Sequence, residues 1–354
     1  VYKRQGPALR APLPREAGVG GRGGVPREGK GTPMGFPRRQ TAERAAARDH
    51  YAEITQQVIT ALEAGTLPWR RPWDQDKAGA GPLSPRNAVT GRRYRGINVL
   101  MLGMTGMSFA GSDPRWLTYK QAEAKGWQVR RGERGSRVFF FRKLTLRDGD
   151  AAGDETGEGG TRSVPVLRAY TVFHASQVDG IPAFPVPSIE EAGWRTPEAA
   201  EVIMRESGAV FREGGDRAFY SPSTDHIQMP PRVAFEHAAG YAATALHEMA
   251  HWSGAKARLD RDLTGRFGSH AYSQEELRAE LASCFVGAEL GLPCDIPNHA
   301  SYVASWLKVL RDDKREIFRA AAEAQRIADY LLRFHPEHAR RLDAEVSRDE
   351  AEEA

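Results

Sequence analysis

Two histidines four residues apart, His247 and His251, enclose a glutamate, Glu248, in the pentapeptide H-E-x-x-H. Residues four apart lie on one face of a helix, so the two imidazoles have the spacing needed to bind one metal ion. Glu248 would lie beside them, where it can take a proton from a water molecule. The pattern predicts metal-assisted hydrolysis, with His247 and His251 as ligands and Glu248 as the catalytic residue.

Two histidines leave a catalytic metal short of a third protein ligand. The extended motif H-E-x-x-H-x-x-G-x-x-H is excluded because position 257 is Ala. A second helix supplies two other candidates, Glu276 and Glu280. Ser273 and Glu276 form the S-x-x-E pattern of a capping box, which assigns Glu276 a structural role. We therefore predict Glu280 as the third ligand and keep Glu276 as the alternative. Zinc is the expected metal, and manganese or cobalt can replace it.

The elements around the motif fit such a site. Residues 233–246 are rich in Ala and lack Pro, as in a buried helix, and Gly254 stands where that helix would end. Residues 217–230 have the pattern of a strand, a turn and a strand. An edge strand there would be able to pair with an extended peptide. The candidate donors to an oxyanion are Tyr220, His270 and Tyr272.

Composition limits the possible classes of protein. The 354 residues are enough for two domains. Two cysteines do not make a disulfide framework, which favours a reducing cytoplasm, and no apolar stretch is long enough to cross a membrane. The formal charge is +8 over residues 1–48, +5 over 49–185 and −9 over 186–354. A polyanion would therefore be attracted to the front part of the chain, residues 1–185, rather than to the rear part, residues 186–354.

Aromatic and basic residues alternate in this front part. Aromatic rings stack on exposed bases and arginines neutralise phosphates, so the combination favours binding of single-stranded DNA. The alternative is that the aromatic residues form a core and the arginines a solvated face. The predicted DNA-binding residues are Trp69, Arg70, Arg71, Trp73, Arg92, Arg93, Tyr94 and Arg95.

An ordered series of motifs resembles the ArdC-type antirestriction proteins and the related amino-terminal region of TraC-type plasmid primases, over roughly residues 45–335. The resemblance implies a front domain that binds single-stranded DNA, with Asn98 among its DNA-binding residues. It also implies a zincin-like metallopeptidase domain in the rear, in proteins that guard mobile-element DNA against host restriction. The motifs are W-R-x-P-W at 69–73, N-x-x-T-G-x-x-Y-R-G-x-N at 87–98, F-H-A-S-Q-V at 173–178, D-H-I-x-M-P at 225–230, H-E-x-x-H-W-x-G at 247–254 and E-E-L-x-A-E at 275–280.

Two functions follow from these patterns. The first is a DNA-associated metallopeptidase that hydrolyses a protein substrate, which the sequence does not identify. The second is a non-enzymatic protein that masks single-stranded DNA and uses its metal for structure. Glu248 favours the first, because a structural metal site does not need it.

Helix and strand signals mix without a regular β-α-β alternation, so the predicted fold class is α+β. Residues 1–40 are rich in Gly, Pro and Arg and should form a disordered tail. We interpret the first five residues as a cloning or assembly artefact, the translation of a transposon end used to build sequencing libraries, with Met34 close to the native start. The predicted organisation is then an α+β domain that binds single-stranded DNA at 41–185, a mostly helical zincin-like domain at 186–335 and a charged tail at 336–354.

Overall fold

The computed structural model describes residues 49–67, 84–106, 108–109, 113–147, 161–184, 195–266, 268–292 and 300–353. The predicted tail and four of the predicted DNA-binding residues, Trp69, Arg70, Arg71 and Trp73, lie outside the described residues. From Asp49 onwards the chain belongs to one compact unit. Among the described helices, none combines the length and apolar character needed to cross a membrane.

The front part is built around a long β-ribbon. Strands β4 and β5 pair antiparallel from Ser136 opposite Val172 to Arg147 opposite Thr161. They extend a sheet of order β1-β2-β5-β4, and β3 pairs with β6 in a second sheet. The front elements are α1 (His50–Glu63), β1 (Arg86–Asn87), α2 (Ile97–Gly106), β2 (Arg115–Leu117), α3 (Tyr119–Ala124), β3 (Gln128–Val129), β4 (Ser136–Arg147), β5 (Thr161–His174) and β6 (Val178–Asp179).

The rear part is a small sheet followed by helices. The sheet has the order β7-β9-β8, so β8 lies at its edge, and the strand, turn and strand predicted at 217–230 correspond to β8 and β9. Helices and strands are mixed, and the longest strands, β4 and β5, pair antiparallel, which confirms the α+β class. The rear elements are α4 (Arg195–Glu206), β7 (Val210–Glu213), β8 (Phe219–Ser221), β9 (His226–Met229), α5 (Ala238–Trp252), α6 (His270–Leu290), α7 (Ala300–Asp312), α8 (Glu316–Leu332) and α9 (Pro336–Glu353).

One large hydrophobic cluster joins the two parts. It includes Phe139 of β4 together with Leu246 of α5 and Leu277 of α6. The predicted boundary near residue 185 therefore does not separate two independent cores. Cys284 lies in the same cluster, as expected for a small core residue, but it is disulfide-bonded, so the cysteines give no support to the predicted reducing compartment.

The carboxy-terminal residues differ from their prediction. Residues 336–353 form helix α9 rather than a charged tail, and Leu342 of this helix is only 4% exposed within the core. The charges follow helical spacing: Arg341 and Glu345 lie on one side of α9, and both form ion pairs with other parts of the fold. This highly charged segment therefore contains one buried apolar residue, Leu342, and two half-buried residues that form ion pairs, Arg341 and Glu345.

The motif at 87–98 stabilises the fold through hydrogen bonds of its two asparagines. The side-chain oxygen of Asn87 accepts hydrogen bonds from the backbone N–H groups of Val89 and Thr90, each at 3.0 Å, and so holds the turn. The Asn98 side chain donates to the carbonyl of Phe139 and accepts from its N–H, both at 2.7 Å, which ties α2 to β4. Asn98 is 4% exposed and Tyr94 7%. Burial removes both from the accessible DNA-binding candidates, contrary to the prediction.

Arg93 is also buried, with 4% of its side chain exposed. Its guanidinium donates to both carboxylate oxygens of Glu345, at 2.8 and 2.6 Å, and lies 3.0 Å from Glu289. Its predicted contact with DNA is therefore corrected to an internal ion pair. Arg95 keeps 46% of its side chain exposed and pairs with Asp329, while Arg92 is half-buried.

Replacing Arg93 with Ala is expected to lower the free energy of unfolding by about 3–5 kcal/mol, because it removes the buried cation that pairs with both Glu289 and Glu345. Chemical denaturation measures this loss. Arg95→Ala is the matched control, since an exposed ion pair contributes at most about 1 kcal/mol. Equal small losses for both variants would contradict the structural role of Arg93.

Candidate metal centre

Helices α5 and α6 carry the candidate ligands and pack against each other. Helix α6 begins at His270, and Ser269 is its N-cap, with a side chain that accepts from the Tyr272 N–H at 3.2 Å. Ser273 lies inside the helix and donates to the Ser269 carbonyl. The capping box predicted at Ser273 and Glu276 is therefore wrong, and Glu276 is available to face α5.

Three side chains meet at one point between these helices. The Nε2 atoms of His247 and His251 are 3.2 Å apart. The Glu276 carboxylate lies 3.6 Å from each of them. Within the described part of the chain, this is the group of His, Cys, Asp and Glu side chains close enough together to hold a metal ion.

The electrostatics of this group fit a cation. Two neutral imidazoles that face each other through Nε2 repel unless a proton or a metal ion lies between them. Burial works against charge here, yet the two histidines hold the pKa of Glu276 well below its usual range. Burial likewise opposes protonation of His251, but Glu276 and Glu275 raise its pKa. The arrangement therefore favours positive charge between the Nε2 atoms, and a bound metal ion would supply it.

Glu280 does not join this group. Its carboxylate lies 3.7 Å from Nδ1 of His247, on the side of the ring away from Glu276, and the residue is 2% exposed. The predicted third ligand, Glu280, is thus outside the group, and the alternative, Glu276, lies in it with the two histidines. A carboxylate at the outer nitrogen of a histidine fixes the orientation of its ring.

His251 has an equivalent partner that the sequence interpretation missed. Glu275 lies 3.2 Å from Nδ1 of His251 and accepts two hydrogen bonds from Arg261, at 2.7 and 3.2 Å. A Cβ at Gly254 would come within 3.0 Å of the Arg261 guanidinium, so glycine makes this approach possible. The segment E-E-L-x-A-E thus supplies one candidate ligand and two orienting carboxylates. Three glutamates within six residues were the feature of the sequence that could have indicated these roles.

Glu248 lies in a cleft of about 340 Å³ that the two histidines and Glu276 also line. It is 8% exposed, and burial raises the pKa of its carboxyl group. A carboxylate with a raised pKa accepts a proton more readily. The edge strand β8 forms another wall of this cleft through Phe219 and Tyr220.

Two tyrosine hydroxyls face each other at the cleft. Tyr272 and Tyr302 both line it, with their oxygens 3.2 Å apart, and burial raises the pKa of both. Of the other predicted oxyanion donors, the Tyr220 hydroxyl donates to Asp225 at 2.9 Å and His270 is exposed outside the lining. Tyr302 was missed because α7 lies thirty residues further along the chain.

Two family models match the chain. Residues 48–173 match the N-terminal domain of the anti-restriction factor ArdC, and residues 198–323 match a zincin-like metallopeptidase. The two matches fall on the front and rear parts described above.

Curated relatives extend the match. Two proteins of Escherichia coli called DNA primase TraC are 44% and 45% identical over 295 and 291 residues, or 80% and 79% of this chain. The chain spans only 27% and 20% of their length. A Sinorhizobium fredii protein, the uncharacterized protein y4eC, is 44% identical over 300 residues, which cover 84% of this chain and 94% of the relative.

Two solved structures are also similar to this chain. The metal-free crystal structure of the antirestriction protein ArdC from plasmid R388 is 40% identical and superposes with a TM-score of 0.67. The Mn(II)-bound structure of the same protein is 38% identical, with a TM-score of 0.65. Each covers 82% of this chain and 99% of the solved chain.

Proposed function

Because this chain belongs to the family of ArdC antirestriction proteins, we propose that it is a metal-dependent peptidase that acts on protein at single-stranded DNA. The observation that carries this proposal is the buried carboxylate of Glu248 in the cleft beside the candidate ligands. Burying a carboxylate is costly, and a structural metal site makes no use of one outside its ligand set. A catalytic site does use it.

The proposed ligands are His247, His251 and Glu276, with Glu275 and Glu280 orienting the two rings. The Mn(II)-bound relative supports a divalent metal ion, and zinc remains our expectation for this His/His/Glu set. Such an ion, when bound, would polarise a carbonyl group and make a water molecule more acidic.

The residues of the cleft then have distinct roles. Glu248 accepts a proton from the attacking water and returns it to the leaving nitrogen. The hydroxyls of Tyr272 and Tyr302 are the candidates to donate to the developing oxyanion. Strand β8, at the edge of its sheet within the described residues, would pair with an extended peptide. Together they favour an unfolded protein segment as the substrate.

The DNA-binding part of the proposal rests on the front of the chain. It carries a charge of +5 over residues 49–185 and matches the N-terminal domain of an anti-restriction factor. Binding through phosphate contacts should weaken steeply as salt is added. Single strands should bind better than duplex if aromatic stacking contributes.

A direct test incubates the full chain with an unfolded protein such as casein, with Zn²⁺ or Mn²⁺ added, and follows cleavage by gel electrophoresis. We expect cleavage that stops when a chelator removes the metal and resumes when metal is restored. The same samples with and without a single-stranded oligonucleotide measure whether DNA brings enzyme and substrate together. Absence of cleavage with either metal, by protein that is shown to have bound it, would contradict the peptidase proposal.

A further inference from the structure

The β4–β5 ribbon exposes aromatic rings on its surface. Phe140, Phe141 and Tyr170 are 48%, 59% and 44% exposed. Single exposed apolar side chains are ordinary, but several together mark an interaction surface. All three lie on two paired strands in the part of the chain that matches the ArdC N-terminal domain, with Phe140 and Tyr170 on one face and Phe141 on the other.

The strand register places two of these rings beside a cation. Tyr170 pairs with Val138 and Arg168 pairs with Phe140. Directly opposed residues share a face of an antiparallel pair, as do residues two apart on one strand. Phe140, Arg168 and Tyr170 therefore lie on one side, which we call the ribbon face. The rings of Phe140 and Tyr170 meet edge to face, with centroids 5.6 Å apart and planes at 72°.

The charge of the ribbon is entirely positive. Strands β4 and β5 contain six Lys and Arg residues and no Asp or Glu. Within the described residues, Arg168 is exposed and has no carboxylate partner, whereas Arg137 pairs with Glu53. A polyanion is the complementary ligand.

We propose that single-stranded DNA binds on the ribbon face, with bases stacked on Phe140 and Tyr170 and a phosphate paired with Arg168. This inference rests on the proposed function, which supplies the affinity for DNA. It assigns the binding of DNA to one surface of the protein. An edge-to-face ring pair leaves ring surface open to a base, and only unpaired bases present their faces. The site replaces predicted positions such as Arg93 and Tyr94, whose side chains are buried.

The strand that carries Phe140 is packed against the hydrophobic core through its neighbouring residue. Phe139, between Val138 and Phe140, belongs to the main core cluster, and its ring lies 6.4 Å from that of Phe318 in α8. The rings of Phe140 and Tyr170 lie on the face of the ribbon opposite to Phe139 and are 48% and 44% exposed. Their removal should leave the fold intact, so loss of binding can be separated from loss of structure.

The test compares the full-length protein with Phe140→Ala/Tyr170→Ala, with Arg168→Ala and with Tyr119→Ala. Tyr119 is the matched control, because it is a 49% exposed aromatic residue of the front part that lies on α3. Fluorescence anisotropy with an oligothymidine should show affinity at least tenfold weaker for the double variant, from stacking worth about 1–3 kcal/mol per base. Arg168→Ala should reduce the slope of log affinity against log salt by about 0.7. Tyr119→Ala should bind like wild type.

Several outcomes would overturn the site. One is a double variant that binds within about twofold of a wild-type protein that does bind; another is a loss confined to Tyr119→Ala. A double variant that loses affinity for phosphatidylserine vesicles, or changes oligomeric state in sedimentation, while keeping its affinity for DNA would assign the face to a membrane or to a second copy. A wild type that fails to bind the oligonucleotide would instead remove the DNA part of the proposed function.

Discussion

Replacing Glu248 with Gln is expected to lower peptidase turnover by about 10²- to 10⁴-fold, the usual contribution of a general base. The substitution keeps the shape of the side chain and removes its ability to accept the proton. Glu248 is not one of the three side chains that meet at Nε2, so metal content should stay at the wild-type level. Affinity for single-stranded DNA should not change either. Casein cleavage, elemental analysis and anisotropy measure the three quantities.

Glu236→Gln is the matched control, because Glu236 is exposed on the segment that leads into α5. It makes the same chemical change outside the cleft and should leave turnover unchanged. A Glu248→Gln protein that binds metal and retains more than about a tenth of wild-type turnover would rule out the assigned base. Full antirestriction in cells, with peptidase activity lost, would favour the non-enzymatic masking function.

The second large effect is expected at Glu276. Glu276→Gln should weaken metal binding by more than about 100-fold, whereas Glu280→Gln should weaken it by about 10–100-fold, the range for residues that orient a ligand. The reason is geometric, since Glu276 faces the Nε2 atoms and Glu280 faces Nδ1 of His247. Competition with a chromophoric chelator, for Zn²⁺ and Mn²⁺ separately, gives both affinities.

The pair of variants is internally controlled, because both change one buried glutamate of the same helix to its neutral isostere. Thermal unfolding without metal should show that each variant remains folded. A greater loss of affinity in Glu280→Gln than in Glu276→Gln would restore Glu280 as the ligand and require α6 to turn relative to α5.

The sequence predicts the centre of the candidate site well and its surroundings less well. The spacing of His247 and His251 depends only on helix geometry, which is local. The third position depended on where α6 begins, and the S-x-x-E pattern placed that start four residues too late. Ser269 makes an equally good N-cap, and local sequence alone does not decide between two such caps.

The DNA-binding residues show a different limit. Arginines and aromatic residues in alternation suit both a nucleic-acid surface and a buried ion-pair cluster. Arg93 is buried because Glu345 lies opposite it, 252 residues away in sequence. No local pattern carries that information. The same pattern type on β4 and β5 leaves Phe140 and Tyr170 exposed, so only the tertiary structure separates the two cases.

The shared core also constrains how this protein can evolve. Phe139 in the front part and Leu246 and Leu277 in the rear belong to one apolar cluster, and α9 returns to pair with Arg93. Recombination between two related genes at the boundary between the matched regions would join halves whose buried surfaces had diverged separately. Most such chimeras should be unstable, so the front and rear regions are expected to be inherited together, with correlated substitutions across Arg93, Glu289 and Glu345.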